Sequence, residues 1–274
     1  MNNSRLWIRA VPILIAVIVV IFKQCSAEHF VNEAGRTAKL GLSRSQEAAL
    51  GAQAYGQVLS QSQTINSGPD YDMVRRCATR LAAATGAAGK DFKWEVSLVR
   101  SNQVNAFCLP GGKIVVYTGI LPVARTETGL AVVLGHEMAH ATLRHGSERV
   151  LQQESANTIL TGVNYSMGDM DYNQRRAIMG ALGAGAQYGV LNPFGREHES
   201  EADAMGLVYM ARAGYDPSEA IEFWKRMSAS GGKSPPEFLS THPSHETRVH
   251  DLQVRLPQAM QIYRESTKAL PPGQ

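Results

Sequence analysis

Several large classes of protein are excluded by what this chain has little of. Its 274 residues include three cysteines, Cys25, Cys77 and Cys108, too few for a disulfide framework. Charge is scarce and nearly balanced, with 19% charged residues, a formal net charge of +3, and Lys and Arg scattered rather than clustered. A nucleic-acid partner needs a basic patch or stripe, and the sequence has none. No internal repeat and no long low-complexity tract is present, which removes solenoids, propellers and disordered linkers. What remains is a globular chain, 44% hydrophobic, sized for one generous domain or one domain plus an appendage.

The first 27 residues read as standing outside the fold. Arg5 and Arg9 precede the apolar run "VPILIAVIVVIF", which Lys23 ends. A run of that length suits a secretory signal and is short for a membrane span of ~20 residues. Two readings stand. Small residues at Cys25 and Ala27 allow cleavage before Glu28, while Leu6 to Phe22, apolar but for a snorkelling Arg9, suits a retained anchor. Phe22, Lys23 and Gln24 argue against lipid attachment at Cys25. Export permits a disulfide between Cys77 and Cys108, and two buried thiols satisfy the sequence equally.

Residues 28–42 read as a polar lead-in, residues 43–266 as the main domain and 267–274 as a tail. Helical spacing marks "SRSQEAALGAQAYGQVLSQSQ", with Ser43 as N-cap, and "YDMVRRCATRLAAATG". "KWEVSLV" alternates as a strand does; "NAFCLPGGKIVVYTGIL" is a short run, a Pro-Gly-Gly turn and a second strand, residues 113–117. Helices resume at "RTETGLAVVLGHEMAHATLRHG", capped by Thr126 or Thr128, and continue nearly to the end. The fold class expected is α+β, mainly helical, with a small sheet beside the helix that carries "HEMAH".

That helix holds the chemistry. His136 and His140 lie one turn apart on one face, as two ligands of one metal ion require. Glu137 sits about 100° round, near enough to serve a metal-bound water as base without ligating the ion. The preceding "LAVVL" implies burial, where bare imidazoles and a carboxylate carry a desolvation cost that zinc removes. His145 follows His140 by five residues, out of reach of the same ion on a continuing helix, and reads as a helix C-terminal residue. The third ligand comes from "REHESEADAMGLVYM". At about 100° per residue, Glu199 and Asp203 share a stripe with Gly206, Leu207 and Met210, whereas Glu197 and Glu201 fall opposite with Arg212. Glu199 is therefore the ligand and Asp203 the acceptor for a ligand imidazole N–H, while Glu201 is expected to be exposed.

"HEMAH", "ESEAD" and "NAFCLPGGKIVVYTGIL" together resemble metallopeptidase family 48, gluzincin zinc endopeptidases that include HtpX and the CAAX prenyl proteases. The soluble periplasmic branch of the BepA and LoiP kind is the more similar, from "SQEAALGAQAYGQVL" to "THPSHETRVHDL". The resemblance implies a zincin-type domain with one zinc per chain on His136, His140 and Glu199, and Glu137 as base. It also implies roles for His242 and Arg248 in "STHPSHETR", which otherwise reads as a turn. His242 would bind the zinc in a resting state or hold the tetrahedral intermediate, with Arg248 as a supporting fixed cation. Multiple membrane spans are lacking, which argues against a prenylated substrate; a C-terminal repeat array is lacking too.

The function expected is zinc-dependent cleavage of unfolded or damaged envelope proteins, in the periplasm or on the periplasmic face of the inner membrane. Lys113, Ile114, Val115, Val116 and Tyr117 are expected to form an edge strand that pairs with the substrate backbone. The alternative is an occluded, non-proteolytic member acting as a chaperone-like assembly factor. The Gly- and Ala-rich insert 164–195 suits either close helix packing or a lid over the cleft.

Overall fold

The computed structural model of the chain describes residues 3–230, 236–242 and 247–269. In chain order its elements are α1 (Asn3–Ser26), β1 (Glu28–Val31), β2 (Thr37–Leu40), α2 (Arg44–Ser60), β3 (Thr64–Ile65), α3 (Pro69–Ala84) and β4 (Glu95–Val99). Then come β5 (Ala106–Leu109), β6 (Lys113–Tyr117), α4 (Leu121–Ala124), α5 (Glu127–Thr142), α6 (His145–Ser166) and α7 (Tyr172–Ala186). A π-helical turn, Gln187–Leu191, leads into α8 (Asn192–Arg212), followed by α9 (Glu219–Ala229), α10 (Glu237–Thr241) and α11 (Arg248–Ala269). The expected class, mainly helical α+β, is what the chain adopts.

These elements group into two compact units. One comprises residues 1–31, 37–43 and 146–197; the other comprises 32–36, 44–145 and 198–274. The span 43–266, read from sequence without an internal boundary, is thus interrupted by 146–197.

In the first unit, α1 packs along α6 rather than standing apart. Gly162 makes room for it: a Cβ there would lie 2.6 Å from the Ala16 Cβ and 2.9 Å from the Pro12 carbonyl. Lys23 pairs with Glu154 at 2.9 Å and Arg9 with Asp169 at 3.1 Å, so the two helices run antiparallel. Among the described helices α1 alone is long and apolar enough to cross a membrane. The lead-in 28–42 contains an antiparallel hairpin, β1 with β2, which its polar composition did not announce. None of the side chains of α7 is buried.

The second unit holds the core. Its sheet runs β3-β4-β6-β5, parallel between β4 and β6 and antiparallel elsewhere. Gly111 and Gly112, at φ 79° and 89°, make the β5–β6 turn, in a region that glycine alone enters without strain. This arrangement corrects the reading of residues 113–117 as an edge. β6 has β4 on one side and β5 on the other, and Lys113 through Val116 are buried. The unbroken apolar run "IVV" is the pattern of a strand covered on both faces, not of a half-exposed edge. Beyond β6 the sheet ends at β5.

α5 is a core helix, buried at every position from Gly129 to Ala139. Thr126 caps it, its hydroxyl accepting the Gly129 N–H at 3.1 Å. α8 crosses α5 glycine on glycine. A Cβ on Gly206 would lie 3.1 Å from the His136 backbone nitrogen, and one on Gly135 would lie 3.1 Å from the Gly206 carbonyl. Only at that separation do Glu199 and Asp203 reach the histidines of α5. Gly206→Val is therefore expected to destabilise the protein by about 1–3 kcal/mol through overpacking, and to lower metal content as well. Thermal unfolding and metal analysis of the purified variant check both outcomes.

Candidate metal centre

The rotation of α5 presents His136 and His140 to one point, and α8 brings Glu199 to the same point. His136 Nε2 lies 3.1 Å from His140 Nε2 and 3.3 Å from Glu199 Oε2; His140 Nε2 lies 3.3 Å from Glu199 Oε1. The end of α10 supplies a fourth donor. His242 Nδ1 is 3.0 Å from Glu199 Oε1 and 3.3 Å from His136 Nε2. A tetrahedral ion with bonds of about 2.0–2.1 Å needs donor separations of about 3.3–3.4 Å; the observed separations, at 3.0–3.3 Å, lie at or just under that figure, with Glu199 meeting the histidines through both oxygens.

The tautomers make the same point. His136 Nδ1 is 2.9 Å from Asp203 Oδ1, so that nitrogen carries the proton and Nε2 is left to the centre. His140 Nδ1 is 2.8 Å from His145 Nδ1, and His145 Nε2 is 3.0 Å from Glu201 Oε2. Burial pushes His145 down to about 4 and holds His140 well below its ordinary value, so both rings are neutral. His145 then gives its one proton to Glu201 and accepts from His140, leaving His140 Nε2 bare. Two lone pairs 3.1 Å apart repel unless a proton or a cation lies between them. Burial would lower His136, but its contacts with Asp203 and Glu199 outweigh that and raise it to about 9. A metal ion must displace that proton.

Behind the ligands stands Arg248, at the first turn of α11 and 1% exposed. Its Nε reaches Asp203 Oδ2 at 2.7 Å, and its Nη2 reaches Asp203 Oδ1 at 2.9 Å and Glu199 Oε2 at 3.1 Å. The guanidinium lies 3.6 Å over the Trp224 ring. Burial acts to raise the Asp203 carboxyl, yet Arg248 and His136 keep it below its ordinary value, and so charged. Glu137 lies off the ligand cluster, as its place one residue round the helix requires. The Cys108 N–H donates to its Oε2 at 3.3 Å, and Oε1 lies 3.3 Å from His242 Nε2.

Seven of the residues singled out from the motifs are in one cluster: His136, Glu137, His140, Glu199, Asp203, His242 and Arg248. Lys113–Tyr117 is not. Lys113 turns away to Glu95 Oε1 at 2.7 Å, and the rest of β6 lies inside the sheet. Cys77 and Cys108 are free thiols, and burial pushes Cys77 up to about 12. Residues 243–246 of "STHPSHETR" lie outside the described residues.

Two sequence readings need correction. His145 does not end the helix of His140. Arg144, at φ 61°, reverses the chain there, its Nε held by Glu47 Oε2 at 2.9 Å, so His145 opens α6 and faces back toward His140. Glu201 is opposite Glu199 in phase, yet it is not solvated. Arg36 donates to it from Nε at 2.6 Å and Nη2 at 3.0 Å, and burial is outweighed by His145 and Arg36 in lowering it to about 2. The side of α8 away from the ligands is covered by the turn 32–36 and by His145. A non-glycine residue in a left-handed conformation leaves no mark in helical periodicity, so this arrangement had no sequence signal.

Comparison with known proteins gives the arrangement a context. The family model described as Peptidase family M48 matches residues 71–256. The mitochondrial metalloendopeptidase OMA1 of Schizosaccharomyces pombe is 35% identical over 226 residues, 81% of this chain and 64% of that protein. The protein of that name from Saccharomyces cerevisiae is 30% identical over 272 residues, 91% of this chain and 76% of the relative. The beta-barrel assembly-enhancing protease of Yersinia pestis is 29% identical, over 84% of this chain and 48% of its own length. The chain therefore spans less than two thirds of the first and the last of these.

Zinc uptake at pH 7 is expected to release about one proton per chain, the one raised on His136. Since that proton competes until the pH passes about 9, apparent affinity rises between pH 7 and 9. Titration calorimetry in two buffers of different ionisation enthalpy measures the release. Uptake without proton release would show that His136 is not protonated in the metal-free site.

Proposed function

Because the chain belongs to peptidase family M48, we propose that it is a zinc-dependent endopeptidase of extended, unfolded polypeptide in the cell envelope. The observation that carries this reading is the four-donor cluster of His136, His140, Glu199 and His242 with Glu137 beside it. His136, His140 and Glu199 would hold the ion, and zinc there supplies Lewis acidity that polarises a peptide carbonyl and acidifies water. Glu137 takes the proton of the attacking water and passes it to the leaving amine nitrogen. Asp203 orients His136, and Arg248 orients both Asp203 and Glu199. His242 would be the fourth donor to the ion; with its ring moved aside, that place would be open to water and substrate, and the ring would lie beside the reacting carbonyl.

Substrate alignment falls to β5. The Cys108 N–H donates to Glu137 rather than to β6, so the side of β5 away from β6 faces the donor cluster there. An extended peptide added along this edge brings its carbonyls past Glu137 with affinity from backbone hydrogen bonds. Such pairing reads little side-chain identity and suits unfolded chains. α1, long and apolar enough for a membrane span, supports a location at the membrane on the exported side. The filled fourth position equally favours a resting enzyme whose access is regulated, and an occluded assembly factor would keep that state permanently.

A casein cleavage assay separates these readings. The purified chain is expected to cleave, to stop when a chelator removes zinc, and to lose about 100- to 10,000-fold in rate as Glu137→Gln with its zinc content unchanged. An active Gln variant, or a zinc-loaded chain that never cleaves, would overturn the peptidase reading. For the edge, N-methylating backbone amides of a peptide substrate away from the scissile bond removes its strand-pairing donors and leaves the protein untouched. Such peptides are expected to show lower kcat/KM than the unmethylated parent, and equal cleavage of both would remove β5 from the proposed substrate path.

A further inference from the structure

Beside the ligand set, one buried cluster has no part in the reaction just described. His145, 3% exposed, stacks on His198 at 4.1 Å between centroids and 4° between planes, and spans the gap from His140 to Glu201. Glu201 is gripped in turn by Arg36 and by Asn32 Nδ2 at 3.3 Å. The turn bearing them is itself closed, the Asn32 side chain accepting the Arg36 N–H at 3.0 Å. We infer that His145 and Glu201 are positioning residues for the metal ligand His140: the chain Arg36–Glu201–His145–His140 fixes its Nδ1–H tautomer and aims its Nε2 at the ion. This inference rests on the reading of His136, His140 and Glu199 as zinc ligands.

Read as a zinc ligand, His140 offers the lone pair of Nε2 and so carries its proton on Nδ1. His145 Nδ1, 2.8 Å away, must accept from it, which leaves the proton of His145 on Nε2. Glu201 can only accept, and it lies 3.0 Å from that nitrogen. Donors and acceptors thus match along the whole chain with the His140 lone pair on Nε2, the atom that faces the other donors. The two ligand imidazoles are held by different means. His136 rests directly on a carboxylate, Asp203, whereas His140 reaches its carboxylate through a second imidazole. Reversal of the backbone at Arg144 is what lets a residue so near in sequence face His140.

The test uses the full chain and zinc itself. His145→Phe keeps the ring and removes both hydrogen bonds; it is expected to weaken zinc binding by about 10- to 100-fold in a chelator competition. Glu201→Leu should follow it, while Glu201→Gln, which keeps an acceptor oxygen for His145 Nε2–H, should recover much of the affinity. Thermal midpoints of the zinc-free proteins distinguish positioning from packing: positioning reduces the gain on zinc addition and leaves the zinc-free midpoint nearly unchanged. Two-bond proton–nitrogen spectra of zinc-loaded wild type add a readout that needs no variant, with His140 expected protonated at Nδ1 and His145 at Nε2. A wild type that takes up no zinc would overturn the metal reading and the relay together. A wild type that takes up zinc while His145→Phe holds it as tightly, or spectra with His145 protonated at Nδ1, would overturn the relay alone.

Discussion

Electron pairs that would repel one another converge inside this protein, and the surrounding fold is arranged to keep them there. His136, His140, Glu199 and His242 bring their donor atoms to within 4.8 Å of one another in a largely buried setting, where an uncompensated polar group costs of order 1–3 kcal/mol. Positive charge at the centre removes that cost, and without it only the proton on His136 relieves the repulsion. The architecture follows from the demand. α5 is buried along most of its length, His136 fully and His140 for the greater part, and paired glycines bring α8 close enough for Glu199. Arg248 neutralises the second carboxylate, Asp203, that a single ion leaves over.

Much of this was legible in the sequence, and what was not has a physical reason. The spacing of His136 and His140 and the phase of Glu199 against Glu201 are properties of one helix, so about 100° per residue suffices to derive them. Asp203 followed from the same stripe; that Gly206 on it is where α8 crosses α5 did not. Neighbours brought together by the chain reversal were invisible. His145 seemed out of reach because the helix was assumed to continue, and Arg144 at φ 61° ends that assumption. Glu201 was expected in water because phase says which way a side chain points, not what lies there; the turn 32–36 lies there. The order of strands was also beyond reach, since both β5 and β6 satisfy a strand pattern and only the parallel pairing with β4 puts β6 inside.

The buried network divides the ligands into two kinds. Three are fixed from behind: His136 by Asp203, Glu199 by Arg248, and His140 by His145. Their supports are charged or fully committed, and removing one leaves a buried group unpaired. The described contacts of His242 are of another sort: the other donors of the centre, Glu137, and the face of Phe238 at 4.8 Å.

A bound ion would need an open position for water and for a scissile carbonyl, and four donors around it would leave none. Moving His136, His140 or Glu199 aside would break a hydrogen bond to a buried ionic or imidazole partner. Moving His242 would cost its ring stack on Phe238 and its contacts with the other donors, and it ends a five-residue helix rather than lying on α5 or α8. The Nε2 of the same ring lies 3.3 Å from Glu137 Oε1. One movement of His242 would therefore open the donor cluster and clear the carboxylate beside it together.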